Sequence, residues 1–351
     1  MNLEGELYKK IRIREIHEEV QGFKTFVFEE GHNIQYESGQ YLTLVTSQDN
    51  EEIRRSYSIT SSPILNEPLS IGIKRIENGL FSRLLIDNAK VGDELTTIGA
   101  GGFFTLPGNI QEYKQIFFFA AGSGITPIFS LLKTALYKYA HLLVVLIYSN
   151  ASPSKTVFLY ELMQLKEKFC ERFHAEFLFG NESDLTKARL HRDLLLQMIN
   201  NFSISDFSEA LYYICGPQSY MRMCTYTLQE TGISKDHIKK ENFNIESIKP
   251  PSLLPPDKEM HTAHIYFGKQ DYTVQVYYPD SILKASKKQG LSLPYSCEVG
   301  RCGNCVAKCT KGKVWHSYNE VLTDKELQSG LILTCVAHPV GGDIELKIGN
   351  A

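Results

Sequence analysis

The cysteines are unevenly spread: of eight in 351 residues, Cys170, Cys215 and Cys224 lie mid-chain, while Cys297, Cys302, Cys305, Cys309 and Cys335 crowd the last quarter. Cys297-Glu-Val-Gly-Arg-Cys302-Gly-Asn-Cys305 has C-x4-C-x2-C spacing, and Cys335 follows in Leu-Thr-Cys-Val-Ala. Four thiolates at this spacing can hold one [2Fe-2S] cluster. Drawing Cys297, Cys302 and Cys305 from nine residues makes the backbone wrap its ligand closely, and Gly300 and Gly303 supply the small size and φ freedom this requires. A structural zinc site usually carries two C-x2-C knuckles; only one is present, which favours iron and sulfur. Cys309 reads as a buried thiol on the following strand rather than a ligand, and Cys170 and Cys224 likewise, because free cysteine packs as a small hydrophobe.

Arg55-Ser56-Tyr57-Ser58-Ile59-Thr60-Ser61 has side chains suited to a flavin. The Tyr57 ring can lie against an isoalloxazine, Ser58 can hydrogen-bond near its reactive nitrogen, and Arg55 can pair bidentately with a phosphate. Taken alone, the segment reads equally as an ordinary amphipathic strand. Gly72-Ile73-Lys74-Arg75 reads as a strand end, and Gly79-Leu80-Phe81-Ser82 as a helix opening whose free amides can accept a pyrophosphate. Ala120-Ala121-Gly122-Ser123-Gly124-Ile125-Thr126-Pro127 stands between an apolar strand and a helix, with Pro127 suited to the first helical turn. Its spacing is not G-x-G-x-x-G, so phosphate binding and a packing turn both stay open. Cys215-Gly216-Pro217 is a companion motif at the end of a later strand, since the strand ends of a parallel sheet point at one ligand-binding edge. Cys215 reads equally as a core thiol.

These motifs need scaffolds. Short β-branched and aromatic runs at 23–28, 40–46, 54–60, 69–75 and 93–98 predict an antiparallel β-barrel, interrupted by a helix at 80–87 and closed by Gly101-Gly102-Phe103-Phe104. Beyond it, continuous apolar strands at 116–121, 142–147, 173–179, 211–215 and 238–243 alternate with amphipathic helices, which predicts a parallel sheet covered on both faces. Ile128, Leu131, Leu132, Ala135, Leu136 and Tyr139 mark the inner face of the first of these helices. Four prolines at 250–256 make 247–260 a linker. A small α+β domain follows over 261–351, with strands at 263–268 and 272–277 and a helix at 281–289. The chain is thus multidomain: a barrel over 1–107, an α/β domain over 108–246, the linker and the small domain, in keeping with about 150 residues per domain.

Composition narrows the partners. Hydrophobic residues at 43% and charged residues at 22% describe a globular chain, and 37 basic against 40 acidic residues leave a net charge of -3, no basis for nucleic-acid binding. No apolar run approaches the roughly 18 residues of a membrane span. The N-terminal segment lacks a signal-peptide core, so a cytoplasmic location without disulfides is expected.

The order RSYS, GIKR with GLFS, GGFF, AAGSGITP and CGP resembles the ferredoxin-NADP reductase superfamily, and the appended C-x4-C-x2-C domain is similar to the oxygenase reductases, most of all the phenylacetyl-CoA epoxygenase reductase subunits and their relatives. The resemblance covers nearly the whole chain. It implies a flavin-binding barrel, a nucleotide-binding α/β domain and a β-grasp, plant-type ferredoxin domain. It also implies that Arg55, Tyr57, Ser58, Ile73, Lys74, Gly79 and Ser82 bind FAD, that Gly122, Ser123, Gly124, Thr126, Cys215, Gly216 and Pro217 bind the nicotinamide nucleotide, and that Cys297, Cys302, Cys305 and Cys335 bind the cluster. Glu241 and Phe243 would line the flavin, and Ser58, Thr126 and Cys215 would act catalytically. The expected activity is electron transfer from NADPH or NADH through FAD and [2Fe-2S] to a protein acceptor such as a multicomponent oxygenase. A free ferredoxin, a desaturase or another hydroxylase are the alternative acceptors, and a non-catalytic iron-sulfur carrier is the alternative of another class. No acidic residue follows the strand at 142–147; Ser149, Ser152 and Lys155 stand there instead, which leans toward NADPH.

Overall fold

The computed structural model describes residues 7–48, 51–77, 79–243, 253–268 and 270–348. It divides into two compact units, one of Lys10–Ala100 with Phe104–Phe243, the other of Asn244–Ala351 with the short segments Met1–Lys9 and Gly101–Phe103. Of the expected linker, residues 247–252 lie outside the described residues, and 253–260 has no regular secondary structure.

In the larger unit, six strands form one sheet: β1 (Lys9–Val20), β2 (Phe23–Phe28), β3 (Tyr41–Gln48), β4 (Glu51–Ser58), β5 (Ser70–Lys74) and β6 (Glu94–Gly101), in the order β4-β3-β6-β1-β2-β5. The two end strands meet where Ile59 bridges Ile71, which closes the barrel. The charge-alternating segment KKIRIREIHEEV carries no turn or apolar run, so β1 is absent from the strands expected above; it is a strand because Ile11 and Ile13 bury into the barrel core at period two while the charges between them face water. Helix α1 (Leu80–Asn88) covers one end of the core with Phe81, Leu85 and Ile86.

The same unit holds a five-stranded parallel sheet of β7 (Gln115–Ala121), β8 (Leu143–Asn150), β9 (Phe173–Phe179), β10 (Ala210–Cys215) and β11 (Ile238–Glu241), in the order β11-β10-β7-β8-β9. Its helices are α2 (Ile125–Lys138), α3 (Leu159–Lys168), α4 (Leu185–Ala188), α5 (Arg192–Phe202) and α6 (Gln218–Glu230). Central β7 is buried at every residue because both faces are covered: Ile116, Phe118 and Ala120 enter one core, Phe117 and Phe119 the other. Chain order reverses between β7 and β10, the switch point at whose carboxyl edge ligands bind in doubly wound sheets.

The smaller unit contains β12 (His261–Phe267), β13 (Gln270–Val276), α7 (Ile282–Lys288), β14 (Val306–Lys311), β15 (Val314–His316), α8 (Asp324–Gln328), β16 (Leu331–Leu333), β17 (Ala337–Pro339) and β18 (Ile344–Ile348). A mixed sheet in the order β13-β12-β18-β14-β16 is packed by Ile282, Leu283 and Ala285 of α7, and β15 pairs with β17 separately. Two cysteine expectations are corrected. Cys170 is exposed, in the turn that follows α3. Cys309 is on β14 as expected but only half-buried, beside the register shift between Cys309 and Lys311 that interrupts pairing with β18.

Candidate redox site

Both nicotinamide motifs stand at the switch point. Gly122–Gly124 form a tight turn between β7 and α2, and Cys215-Gly216-Pro217 leads from β10 into α6, with Cys215 in register beside Ala120. The loops touch: a Cβ on Gly124 would lie 2.1 Å from the Cys215 carbonyl oxygen, so only glycine fits. Helices α1, α2 and α6 each begin at a motif residue, Gly79, Gly124 or Pro217, and none has a side-chain cap, whereas α5, α7 and α8 are capped by His191, Ser281 and Thr323. Uncapped amides at a helix start suit anionic phosphates. The Tyr148 hydroxyl donates to the Gly122 carbonyl at 3.0 Å and that of Tyr220 to the Ala120 carbonyl at 3.2 Å, holding the two strand ends. Sequence reasoning missed both tyrosines; the available signal was an aromatic with a polar tip at the end of an apolar strand and beside Cys-Gly-Pro.

The flavin motif runs along β4. Arg55 and Tyr57 share one face, opposite Leu44 and Leu42 of β3, while Ser58 is buried at the strand end. The Tyr57 ring lies 6.2 Å from that of Phe81 on α1, and burial, opposed by Arg55, pushes its hydroxyl ionisation well up. Ser82 is engaged in the loop, accepting from the Ile76 N–H and donating to the Gly79 carbonyl, each at 3.2 Å. Ile73 is fully buried in the barrel core, in register with Lys24 of β2, and Lys74 is exposed at the end of β5. Gly72 joins the two regions: a Cβ there would stand 2.7 Å from Thr126 Cγ2 and 2.7 Å from the Phe23 ring, so Thr126 presses directly on a barrel strand. The Thr126 hydroxyl donates to the Ser123 carbonyl at 3.0 Å.

Beside Cys215 in the next strand is Glu241. Cys215 is fully buried, and burial first, then the nearby Glu241, raises its ionisation far above the thiol range. Burial likewise lifts the Glu241 carboxyl to about 8, and its Oε2 has no hydrogen-bond partner among the described residues. Phe243, which follows, is 42% exposed. Between the ordinary carboxyl value of 4.5 and about 8, the folded chain holds a proton that the unfolded chain has lost, so stability falls as pH rises through that window. Glu241→Gln is therefore expected to flatten this part of the melting-temperature profile between about pH 5 and about pH 8; an unchanged slope would show a solvated, charged carboxylate.

In the smaller unit, the loop between α7 and β14 carries Cys297, Cys302 and Cys305, and the turn between β16 and β17 carries Cys335. The turn and loop are tied at Thr334, whose amide and hydroxyl both donate to the Cys305 carbonyl at 3.0 Å. Gly300 has φ +74°, and a Cβ there would lie 3.1 Å from the Tyr318 carbonyl oxygen. The sulfurs form two pairs, Cys302 with Cys297 and Cys305 with Cys335 at 3.2 Å, joined by a contact between Cys297 and Cys335. Amides already point at sulfur: Arg301 N–H donates to Cys297 Sγ at 3.4 Å and Cys297 N–H to Cys302 Sγ at 3.5 Å. Hydrogen bonds from Cys302, then Cys335, hold Cys297 well below the thiol range, while that same contact pushes Cys302 and Cys335 up. One thiolate thus suppresses ionisation of Cys302 and Cys335, a like-charge repulsion that a bound cation would relieve. The donor set, glycine loop and sulfur-directed amides fit the cluster.

Family models match all three regions: an oxidoreductase FAD-binding domain over residues 9–106, an oxidoreductase NAD-binding domain over 118–225, and a 2Fe-2S iron-sulfur cluster binding domain over 266–340. Fold and site together define an NAD(P)H-dependent flavin and iron-sulfur oxidoreductase. The chain is 32% identical over 316 residues to a subunit of 1,2-phenylacetyl-CoA epoxidase from Escherichia coli (strain K12), covering 88% of this chain and 87% of that protein. It is 30% identical over 351 residues to the ferredoxin reductase component of 3-ketosteroid-9-alpha-monooxygenase from Mycolicibacterium smegmatis, covering 96% of each. It belongs to this family of oxygenase reductase components. Among solved structures, phthalate dioxygenase reductase shares the fold at TM-score 0.60 and 21% identity over 99% of this chain and 100% of that one. An intact type IV self-sufficient cytochrome P450 monooxygenase matches at TM-score 0.70 and 20% identity, over 97% of this chain and 41% of that one.

Proposed function

We propose that the chain passes electrons from NADPH through FAD and a [2Fe-2S] cluster to an oxygenase partner of the phenylacetyl-CoA epoxidase kind. The observation that carries this reading is the meeting at one switch point of Gly124 with Cys215 and of Thr126 with Gly72, which brings the nicotinamide motifs against a flavin-barrel strand. Arg55, Tyr57, Ser58, Lys74, Gly79, Ser82 and the Ile73 backbone hold the flavin, and Gly122, Ser123, Gly124, Thr126 and Cys215 to Pro217 hold the nucleotide. Glu241 and Phe243 border the flavin, and Cys297, Cys302, Cys305 and Cys335 hold the cluster. When bound, the flavin mediates between a two-electron donor and a one-electron acceptor, which the cluster supplies. The residues orient and insulate. Thr126, wedged against Gly72, fixes where a nicotinamide ring can approach; Cys215 stays a neutral thiol; Glu241 keeps a proton on its carboxyl beside it.

The coenzyme reading rests on the turn after β8. Ser152 Oγ pairs with Ser154 Oγ at 3.1 Å, the Ser152 carbonyl accepts from the Thr156 hydroxyl at 2.9 Å, and Lys155 is exposed at the rim. No carboxylate stands at 148–155 to claim a free ribose hydroxyl. Wild-type kcat/KM is expected to favour NADPH, and Lys155→Ala to lower it about tenfold for NADPH with little change for NADH. Equal losses for both nucleotides, or a wild type that prefers NADH, would remove the 2′-phosphate role. With Cys297, Cys302, Cys305 and Cys335 given to the cluster, Cys170, Cys215, Cys224 and Cys309 remain as free thiols, and we place the chain in the reducing cytoplasm. Among the described residues no helix is long and apolar enough to cross a membrane.

A further inference from the structure

Every residue of α2 from Ile125 to Leu136 is buried, yet the stretch carries Thr126, Ser130, Lys133 and Thr134. Thr126, Ser130 and Thr134 stand at i, i+4 and i+8, a single stripe of the helix, with Lys133 beside it. Buried polar groups are costly unless each finds a partner, so the partners reveal what the stripe is for. Ser130 Oγ donates to the Ser61 carbonyl at 2.6 Å. Thr134 Oγ1 bonds Ser38 Oγ at 2.5 Å and Ser62 Oγ at 2.8 Å. Lys133 pairs with Glu67, whose Oε2 also accepts from the Ser62 N–H at 2.7 Å.

The net continues into the barrel, where Ser61 Oγ bonds the Tyr36 hydroxyl at 2.7 Å and accepts from the Ser70 amide at 3.1 Å. Apart from Ser38, the barrel groups that hydrogen-bond or ion-pair with α2 lie in residues 61–67, the segment that continues from Arg55–Ser58 and leads to β5. Beneath them is an aromatic chain: Lys133 Nζ sits 4.6 Å over the Phe129 ring, Phe129 stacks on Phe158 at 4.4 Å, and Phe158 meets Phe23 of β2 edge-on at 6.1 Å. The aromatic contact supplies non-directional burial. The hydrogen bonds add direction, because they weaken steeply with angle.

We propose that Glu67, Lys133 and Thr134 are positioning residues that latch α2 to the segment after the flavin strand and so set the distance and angle between a nicotinamide held at Gly122–Thr126 and a flavin held at Arg55–Ser58. The proposal rests on the functional reading above. None of the three side chains reaches the reacting atoms; they act through the helix that carries Thr126.

The test uses the full, flavin-loaded chain with Thr134→Val, Thr134→Ser and Glu67→Gln. Under anaerobic rapid mixing with NADPH, Thr134→Val and Glu67→Gln are expected to lower the limiting rate of flavin bleaching ~10- to 100-fold, as a misplacement of about 1 Å does. Nucleotide Kd and flavin content should hold. The long-wavelength charge-transfer absorbance of the reduced flavin with the oxidised nucleotide, read anaerobically at equilibrium, should weaken in both variants, and Thr134→Ser should restore rate and absorbance. A folded, flavin-loaded Thr134→Val with wild-type rate and absorbance would overturn the latch, as would a rate loss matched by an equal rise in Kd. A wild type whose flavin is not bleached by either nucleotide would instead overturn the functional reading.

Discussion

Replacing Cys302 with serine is expected to abolish NADPH-driven reduction of cytochrome c while leaving bleaching of the bound flavin by NADPH intact. Cys302 is one of four sulfurs in two joined pairs, and it receives the Cys297 amide at 3.5 Å. Serine offers a harder oxygen donor that ionises far less readily, so the pair that Cys302 completes loses its grip on iron. The flavin and nucleotide motifs belong to the other compact unit, with its own cores, so entry of electrons does not depend on this loop. Absorbance of the purified variant should lack the iron-sulfur contribution and keep that of the flavin. Simultaneous loss of flavin bleaching and cytochrome c reduction would contradict a route in which the nucleotide reduces flavin first.

The second large effect is expected at Gly124. A methyl there would meet the Cys215 carbonyl oxygen at 2.1 Å, its carbon at 2.4 Å and the Gly216 nitrogen at 2.8 Å, all backbone atoms that cannot rotate away. Gly124→Ala must therefore push apart the two loops that would hold the nicotinamide, by a shift of about an ångström, which costs ~100-fold in a reaction that depends on orientation. Nucleotide affinity should fall as well, while flavin content should hold because β4 and α1 are untouched. Gly108→Ala is the matched control: nothing lies within 4 Å of a Cβ there, and no loss is expected. A folded Gly124→Ala protein that reduces its flavin at the wild-type rate would show that the contact does not shape the site.

Much of this arrangement was legible in the sequence, for physical reasons. Spacing alone gathers Cys297, Cys302 and Cys305, since nine residues cannot spread far. The apolar strands of the parallel sheet declared themselves because burial on both faces leaves no room for polar alternation; β9 falls at the expected residues 173–179. The first barrel strand was hidden because its inward residues, Ile11 and Ile13, are separated by charges that resemble a solvated terminus. The burial of Cys170 and Cys309 was misjudged because cysteine's preference for cores is an average, while their exposure is set by a turn and a register shift. The approach of Thr126 to Gly72 was not legible at all. It depends on how the barrel meets the parallel sheet, and no local pattern in either segment encodes that. The buried stripe on α2 is similar: its serines and threonines look like helix-surface residues until their partners at 61–67 are in place.

Electrons, on the central claim, enter at the switch point of the parallel sheet and leave through the four-cysteine loop. Anaerobic rapid mixing of the purified wild-type chain with less than one equivalent of NADPH, following flavin and iron-sulfur absorbance separately, tests it most directly. Flavin absorbance should fall first and cluster absorbance second. Cluster bleaching that precedes or bypasses the flavin, or a purified protein that contains no iron, would contradict the claim.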